Sequence, residues 1–147
     1  MEPGRTGSAV LAVAGAILMP LSLSFDWYHI DTGDSTFDMS GWNAFEFADF
    51  ALVAAAAVAL LGVARSSRAP TTAAGAFLGA GAATVVIVVI QMIDKPPLLG
   101  FGLHSSLRVG AFLGLAGAVL VLIAGVLQLV PRSGRSRSRA SSASPGL

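Results

Sequence analysis

Charge is what this sequence has least of. Only 12% of its 147 residues are Asp, Glu, Lys or Arg, against about a quarter in an average soluble domain. A chain this short has much surface to cover for each unit of core, so the shortage argues against a water-soluble monomer. The 54% of apolar residues excludes an intrinsically disordered protein. Cysteine is absent altogether, which removes disulfide frameworks, thiolate metal sites and thiol catalysis together. Histidine occurs only twice, with no H-E-x-x-H pair for zinc. Phosphate-binding glycine loops and haem-ligand spacings are missing too, and no nucleophile is seen with a plausible base.

What the chain has in abundance is long apolar runs. A helix needs roughly 20 mostly apolar residues to cross about 30 Å of hydrocarbon, and four stretches qualify: about 6–23, 44–64, 72–93 and 107–130. The third carries the β-branched block Thr84 to Ile90. It is still expected to be helical, because a lone strand in lipid would leave backbone groups unpaired. Asn43-Ala44-Phe45-Glu46 reads as a capping box that opens the second helix. Pro70-Thr71-Thr72 opens the third, Pro96-Pro97 closes it near Asp94, and Pro131 closes the fourth. Pro20 kinks or ends the first. The fold class predicted is all-α, an up-down four-helix transmembrane bundle over residues 1–131, followed by a disordered basic, serine-rich tail over 132–147.

Orientation follows from where the few charges sit. Arg5, Arg65, Arg68, Arg132, Arg135, Arg137 and Arg139 fall on one side of the expected spans, and only Lys95 and Arg108 on the other. Every acidic residue except Glu2 lies on that second side. The positive-inside rule then places both termini in the cytoplasm, with two outer loops at the plasma membrane. A second reading of the first run stays open. Arg5, a short apolar stretch and Ser22-Leu23-Ser24 as a small-x-small site describe a cleaved signal peptide, and cleavage would leave three spans.

Three groups of residues are candidates for a role. Gly75-x-x-x-Gly79, continued by Ala83, and Gly110-x-x-x-Gly114, continued by Ala118, make small-residue faces on the third and fourth spans. Such faces let helices approach closely in lipid. They serve packing within the chain or self-association, or they reflect general alanine and glycine richness. Asp49 lies one turn inside the second span, and a carboxylate there costs a few kcal/mol unless it is paired, protonated or wet. Arg108 enters the fourth span from the same side, so an Asp49–Arg108 contact is expected, within a polar cluster that also includes Asp94. Trp27, Tyr28 and Trp42 in and beside the first outer loop read as interface anchors. That loop also carries Asp26, His29, Asp31, Asp34 and Asp38, of which His29 and Asp31 with Asp26 and Asp34 offer enough for a weak divalent-ion site but without the ordered spacing of a calcium loop. His104 lies in the other outer loop. No catalytic, cofactor-binding or metal-ligating residue is assigned, and no cofactor is expected.

The placement of these motifs carries a resemblance. Trp27-Tyr28 after the first span, then Ser40-Gly41-Trp42-Asn43-Ala44-Phe45 with Asp49, resembles the "WY … SGWxAF … D" pattern of small four-span membrane proteins of actinobacteria. Ile93-Asp94-Lys95-Pro96-Pro97 is similar to their "I/LDPP" ending of the third helix, and Arg108 to Leu113 to their "RxGAxL" opening of the fourth. The likeness runs from about Leu11 to Leu129. Lys95 interrupts the Asp-Pro pair, and the first loop is longer and more acidic. The resemblance implies four spans with both ends inside and argues against signal cleavage; it implies no activity. A long first and a short second outer loop are also similar to those of claudin-like tetraspans, whose loops, however, use paired cysteines.

The function expected is that of a non-enzymatic accessory or scaffolding subunit. Its partners would be the lipid bilayer and either a second copy or another membrane protein, with no nucleic acid. The alternative is a small transporter or channel component with Asp49 as the titrating group.

Overall fold

The computed structural model describes residues 3–45, 47–93 and 104–130. Asp94, Lys95, the Pro96-Pro97 stop, Glu46 of the expected capping box and the basic tail lie outside the described residues.

Four long helices dominate: α1 (Pro3–Ser22), α3 (Ala48–Arg65), α4 (Pro70–Ile93) and α5 (Val109–Leu129). A four-residue helix, α2 (Gly41–Ala44), precedes α3. At 1.5 Å per residue, the 18, 24 and 21 residues of α3, α4 and α5 reach about 27, 36 and 32 Å. These three are long and apolar enough to cross a membrane, and the apolar part of α1, Thr6–Ser22, is somewhat shorter. The helices alternate in direction, and each packs on two neighbours in the cyclic order α1, α5, α4, α3. The α3–α4 link is a tight turn in which Arg68 and Ala69 donate their N–H groups to the Arg65 carbonyl (3.0 and 2.9 Å), and Pro70 then opens α4.

The core of the bundle is made of small residues. Ala12, Ala16, Ala56, Ala59, Ala73, Ala118 and Ala124 are buried around Phe77, Met19 and Val121. Leu60, Leu61, Ile90, Phe112, Ile123 and Leu127 point outward. This reverses the usual order of a water-soluble protein, where large aliphatic side chains fill the interior. Backbones approach most closely where α1 crosses α5. A Cβ on Gly15 would run into the Gly117 carbonyl oxygen, and one on Gly117 would stand 3.0 Å from that of Gly15. Gly81 against Leu122 and Gly125 against Leu78 do the same between α4 and α5. The expected stripe of Gly75 and Gly79 is elsewhere: nothing lies within 4 Å of a Cβ at either position. Helix α4 meets α5 through a different face, at Leu78 and Gly81, while the buried Phe77 packs against Gly62 of α3.

The expected all-α class holds for the bundle but not for its capped end. Residues expected as loops form a three-stranded antiparallel sheet: β1 (Asp26–Asp31), β2 (Thr36–Ser40) and β3 (His104–Leu107), in the order β2-β1-β3. The β1–β2 turn is made by Thr32 to Ser35, with Gly33 at φ +86°, a left-handed conformation that glycine adopts without steric cost. β3 comes from the second connection and pairs with β1, Tyr28 opposite Leu107 and His29 opposite Ser106. Leu107, expected to open the fourth span, is thus the last strand residue, and Arg108 occupies the N-cap position of α5.

The start of α3 also differs from expectation. Asn43 sits inside α2, and the backbone turns extended at Phe45, whose ring packs edge-on against Trp27 at 4.6 Å. α3 begins at Ala48 without a side-chain cap at Phe47.

Candidate functional site

The sheet and the helix ends beneath it gather most of the polar and aromatic residues singled out above. Their geometry starts with a bulge. Asp26 pairs with Ser40 but Tyr28 with Met39, leaving Trp27 as an extra residue on β1. A strand without a bulge sends consecutive side chains to opposite faces. The extra residue breaks that alternation, and Trp27 and Tyr28 both turn inward, 0% and 1% exposed. They are therefore not interface anchors, as their type and loop position had implied. They are the centre of a second core with Leu23, Ile30, Phe45, Leu52, Val88 and Ala111.

Each buried aromatic has its polar atom satisfied, as burial requires. Trp27 Nε1 donates to the Ser22 carbonyl at 2.8 Å, one of the last-turn carbonyls of α1 that have no partner within the helix. Tyr28 Oη donates to the Gln91 carbonyl near the end of α4. β1 thereby caps two helices through side chains. Desolvation by burial pushes the Tyr28 phenol up to about 12. Gly110 and Gly114 of α5 belong to this arrangement. A Cβ on Gly110 would lie 2.5 Å from Trp27 Cδ1, and one on Gly114 would lie 3.0 Å from both Trp27 Cζ2 and Ser22 Oγ. Their small size makes room for an indole and for the end of α1. Trp42, in contrast, is 46% exposed, with Nε1 3.5 Å from Ser24 Oγ, a position compatible with an interfacial anchor.

The outer face of the sheet carries the charges. His29 and Asp38 are directly opposed on β1 and β2, and Nδ1 of the imidazole lies 2.6 Å from Asp38 Oδ1. Arg108 Nε reaches the same oxygen at 3.7 Å, while the Arg108 backbone N–H donates to the Trp27 carbonyl at 2.9 Å. The expected Asp49–Arg108 contact is replaced by this one. Asp49 instead serves its own helix: its carboxylate, on a residue 7% exposed, accepts the Phe50 N–H at 2.7 Å in the first turn of α3. Negative charge there also suits the positive end of the helix dipole. Asp94, the third member of the expected cluster, lies outside the described residues.

Ser106, His29 and Asp38 stand in one cross-strand row, the residue types of a hydrolytic triad. Ser106 is exposed and makes no hydrogen bond to the imidazole. Among the described residues nothing covers the row to exclude water or to hold an acyl group. Among the described residues no three His, Asp or Glu side chains converge as a metal site would require. His104 pairs in register with Asp31, so the fold brings the two histidine-bearing connections into one sheet.

Asp38 and Phe45 were the residues that sequence reasoning underrated. A signal existed for Asp38. Thr36 to Ser40 alternates polar and apolar residues after Thr32-Gly33-Asp34-Ser35, a turn-forming run between two short strands. No comparable local signal marks Phe45. No protein-family model matches the chain, and no curated protein matches it either.

Proposed function

We propose that the chain is a small plasma-membrane protein crossing the bilayer four times, with both ends in the cytoplasm, and that it acts as a non-enzymatic accessory or scaffolding subunit. The observation that carries this reading is the inverted packing of the bundle, alanine within and leucine, isoleucine and phenylalanine without. In water such a surface drives aggregation. In lipid it is solvated, and close approach of small residues supplies the cohesion. α1 supports its own place as a fourth span, since Gly15 lets it lie against Gly117 of α5, itself long enough to cross. The sheet end carries Asp26, Asp31, Asp34 and Asp38, whereas the α3–α4 turn carries Arg65 and Arg68, which supports the outward placement of the sheet.

A scaffolding role fits a cap that joins both outer connections through β1 and presents a shallow polar face. The chain has no cysteine of its own, so single cysteines report topology cleanly. Ser35→Cys should react with an impermeant thiol reagent on intact cells and Ser67→Cys should not. The opposite pattern overturns the orientation. Purification from native membranes with a mild crosslinker should yield a stoichiometric second copy or membrane-protein partner. Labelling of Ser106 by a fluorophosphonate would instead establish a hydrolase.

The burial of Asp49 supports a second reading, a small transporter or channel component. Proton or cation flux in proteoliposomes, lost in Asp49→Asn, would favour it; flux equal to that of empty liposomes would reject it.

A further inference from the structure

At the end of the bundle opposite the sheet, α3 and α4 line a groove of about 180 Å³. Its walls are Val58, Leu61 and Gly62 of α3 with Ala73 and Ala76 of α4, and Arg65 and Thr72 close its turn end. The groove exists because of side-chain size. Gly62 has no side chain, as a Cβ there would stand 2.7 Å from Phe77 Cε1, and Ala73 and Ala76 offer only methyl groups. Val58 and Leu61 are exposed beside it. Seven residues of helix separate Val58 from Arg65, so the cleft runs about 10 Å from the turn toward the middle of the bundle. It is apolar along its length and cationic at its mouth.

Arg65 has no counterion among the described residues. Among the described residues the ion pairs involve His29, Asp38 and Arg108 alone, and the described acidic residues lie on the sheet, its turn or the first turn of α3, at the other end. Arg68 lies in the same turn as Arg65 and is likewise exposed. A partner that fits these walls is apolar and chain-like along its length and anionic at one end.

We propose that this groove binds one anionic diacyl phospholipid of the cytoplasmic leaflet, with an acyl chain along Val58, Leu61 and Ala76 and the phosphate at Arg65. The proposal rests on the four-span reading, which places the α3–α4 turn at the cytoplasmic interface. There a basic residue between two helices meets headgroups directly, and one arginine changes the preference for anionic over neutral lipid about fivefold. A neutral lipid would fill the cleft but leave Arg65 unmatched. A helix of a second copy would need no headgroup.

The test uses the full chain reconstituted in nanodiscs of equal phosphatidylglycerol and phosphatidylcholine, released for native mass spectrometry. The wild type should retain one phosphatidylglycerol, enriched about fivefold over the bulk ratio. Arg65→Gln should bring the retained lipid to the bulk ratio, and Arg65→Lys should keep most of the enrichment. Ala76→Phe fills the apolar part with the charge intact and should abolish retention altogether; circular dichroism checks that each variant stays helical. Equal retention of both lipids, enrichment untouched by Arg65→Gln and Ala76→Phe, or a lipid-free dimer would each overturn the site. A chain that inserts into the nanodisc but shows no preference sinks this proposal alone, whereas failure to insert sinks the membrane reading as well.

Discussion

The indole of Trp27 donates to the carbonyl of Ser22 over 2.8 Å, so the residue that leaves the first helix by a bulged strand turns back to cap it. Gly110 on α5 is small where the same indole passes. Three segments far apart in sequence thus meet at one ring.

Replacing that ring should be costly. Trp27→Ala opens a cavity beneath the sheet and should destabilise by about 3 kcal/mol or more. Trp27→Phe keeps most of the packing but loses the indole bond to the Ser22 carbonyl, which still accepts the Phe25 N–H, for about 1 kcal/mol. Gly110→Ala should cost about as much as Trp27→Phe by pushing the indole away. Thermal unfolding in detergent ranks the three, and equal melting temperatures for all would contradict the arrangement.

Tyr28 is the chain's one tyrosine, so absorbance near 295 nm titrates it alone. Its phenol should ionise near pH 12 in the folded protein and near pH 10 when unfolded. A raised folded-state value means that the contribution to stability is complete below pH 10 and is lost as pH rises from about 10 through 12. Tyr28→Phe should flatten that alkaline limb and, through loss of the bond to Gln91, lower stability at neutral pH by about 1 kcal/mol.

Asp38, rather than Asp49, should couple to Arg108. A double-mutant cycle on Asp38→Asn and Arg108→Gln should return about 0.2–1 kcal/mol, the range for half-exposed pairs, shrinking as salt is added. The same cycle with Asp49→Asn should return nothing outside error.

The glycines divide sharply. Gly15→Ala places a methyl on the Gly117 carbonyl and should cost about 1–3 kcal/mol by forcing α1 from α5. Gly75→Ala and Gly79→Ala meet open space and should be neutral or stabilise slightly through helix propensity. Unfolding in detergent again decides, and a destabilised Gly79→Ala would show that this face is covered in solution.

Much of the helical framework could be read from the sequence because a long apolar run needs no context. Pro70 opens α4 where its position indicated, and the turn between Arg65 and Pro70 sets two antiparallel neighbours side by side. The sheet was harder to foresee, because β3 is four residues long and acquires its strand character only from β1. The Trp27 bulge defeats simple alternation, and two adjacent inward aromatics look, in sequence, like an interfacial pair. For the glycines, spacing reveals a stripe but not which side of a helix it faces. Gly110 and Gly114 are occupied by Trp27, whereas Gly75 and Gly79 face outward, and that difference is decided by partners on other helices.

With β1 running between β2 and β3, a nick at the exposed Gly33 tip would cut the polypeptide without parting it. The upstream piece stays clasped by β3 on one side, the downstream piece by α3 against α1 and α4, so the two fragments should migrate as a single particle until a denaturing detergent strips the bundle apart.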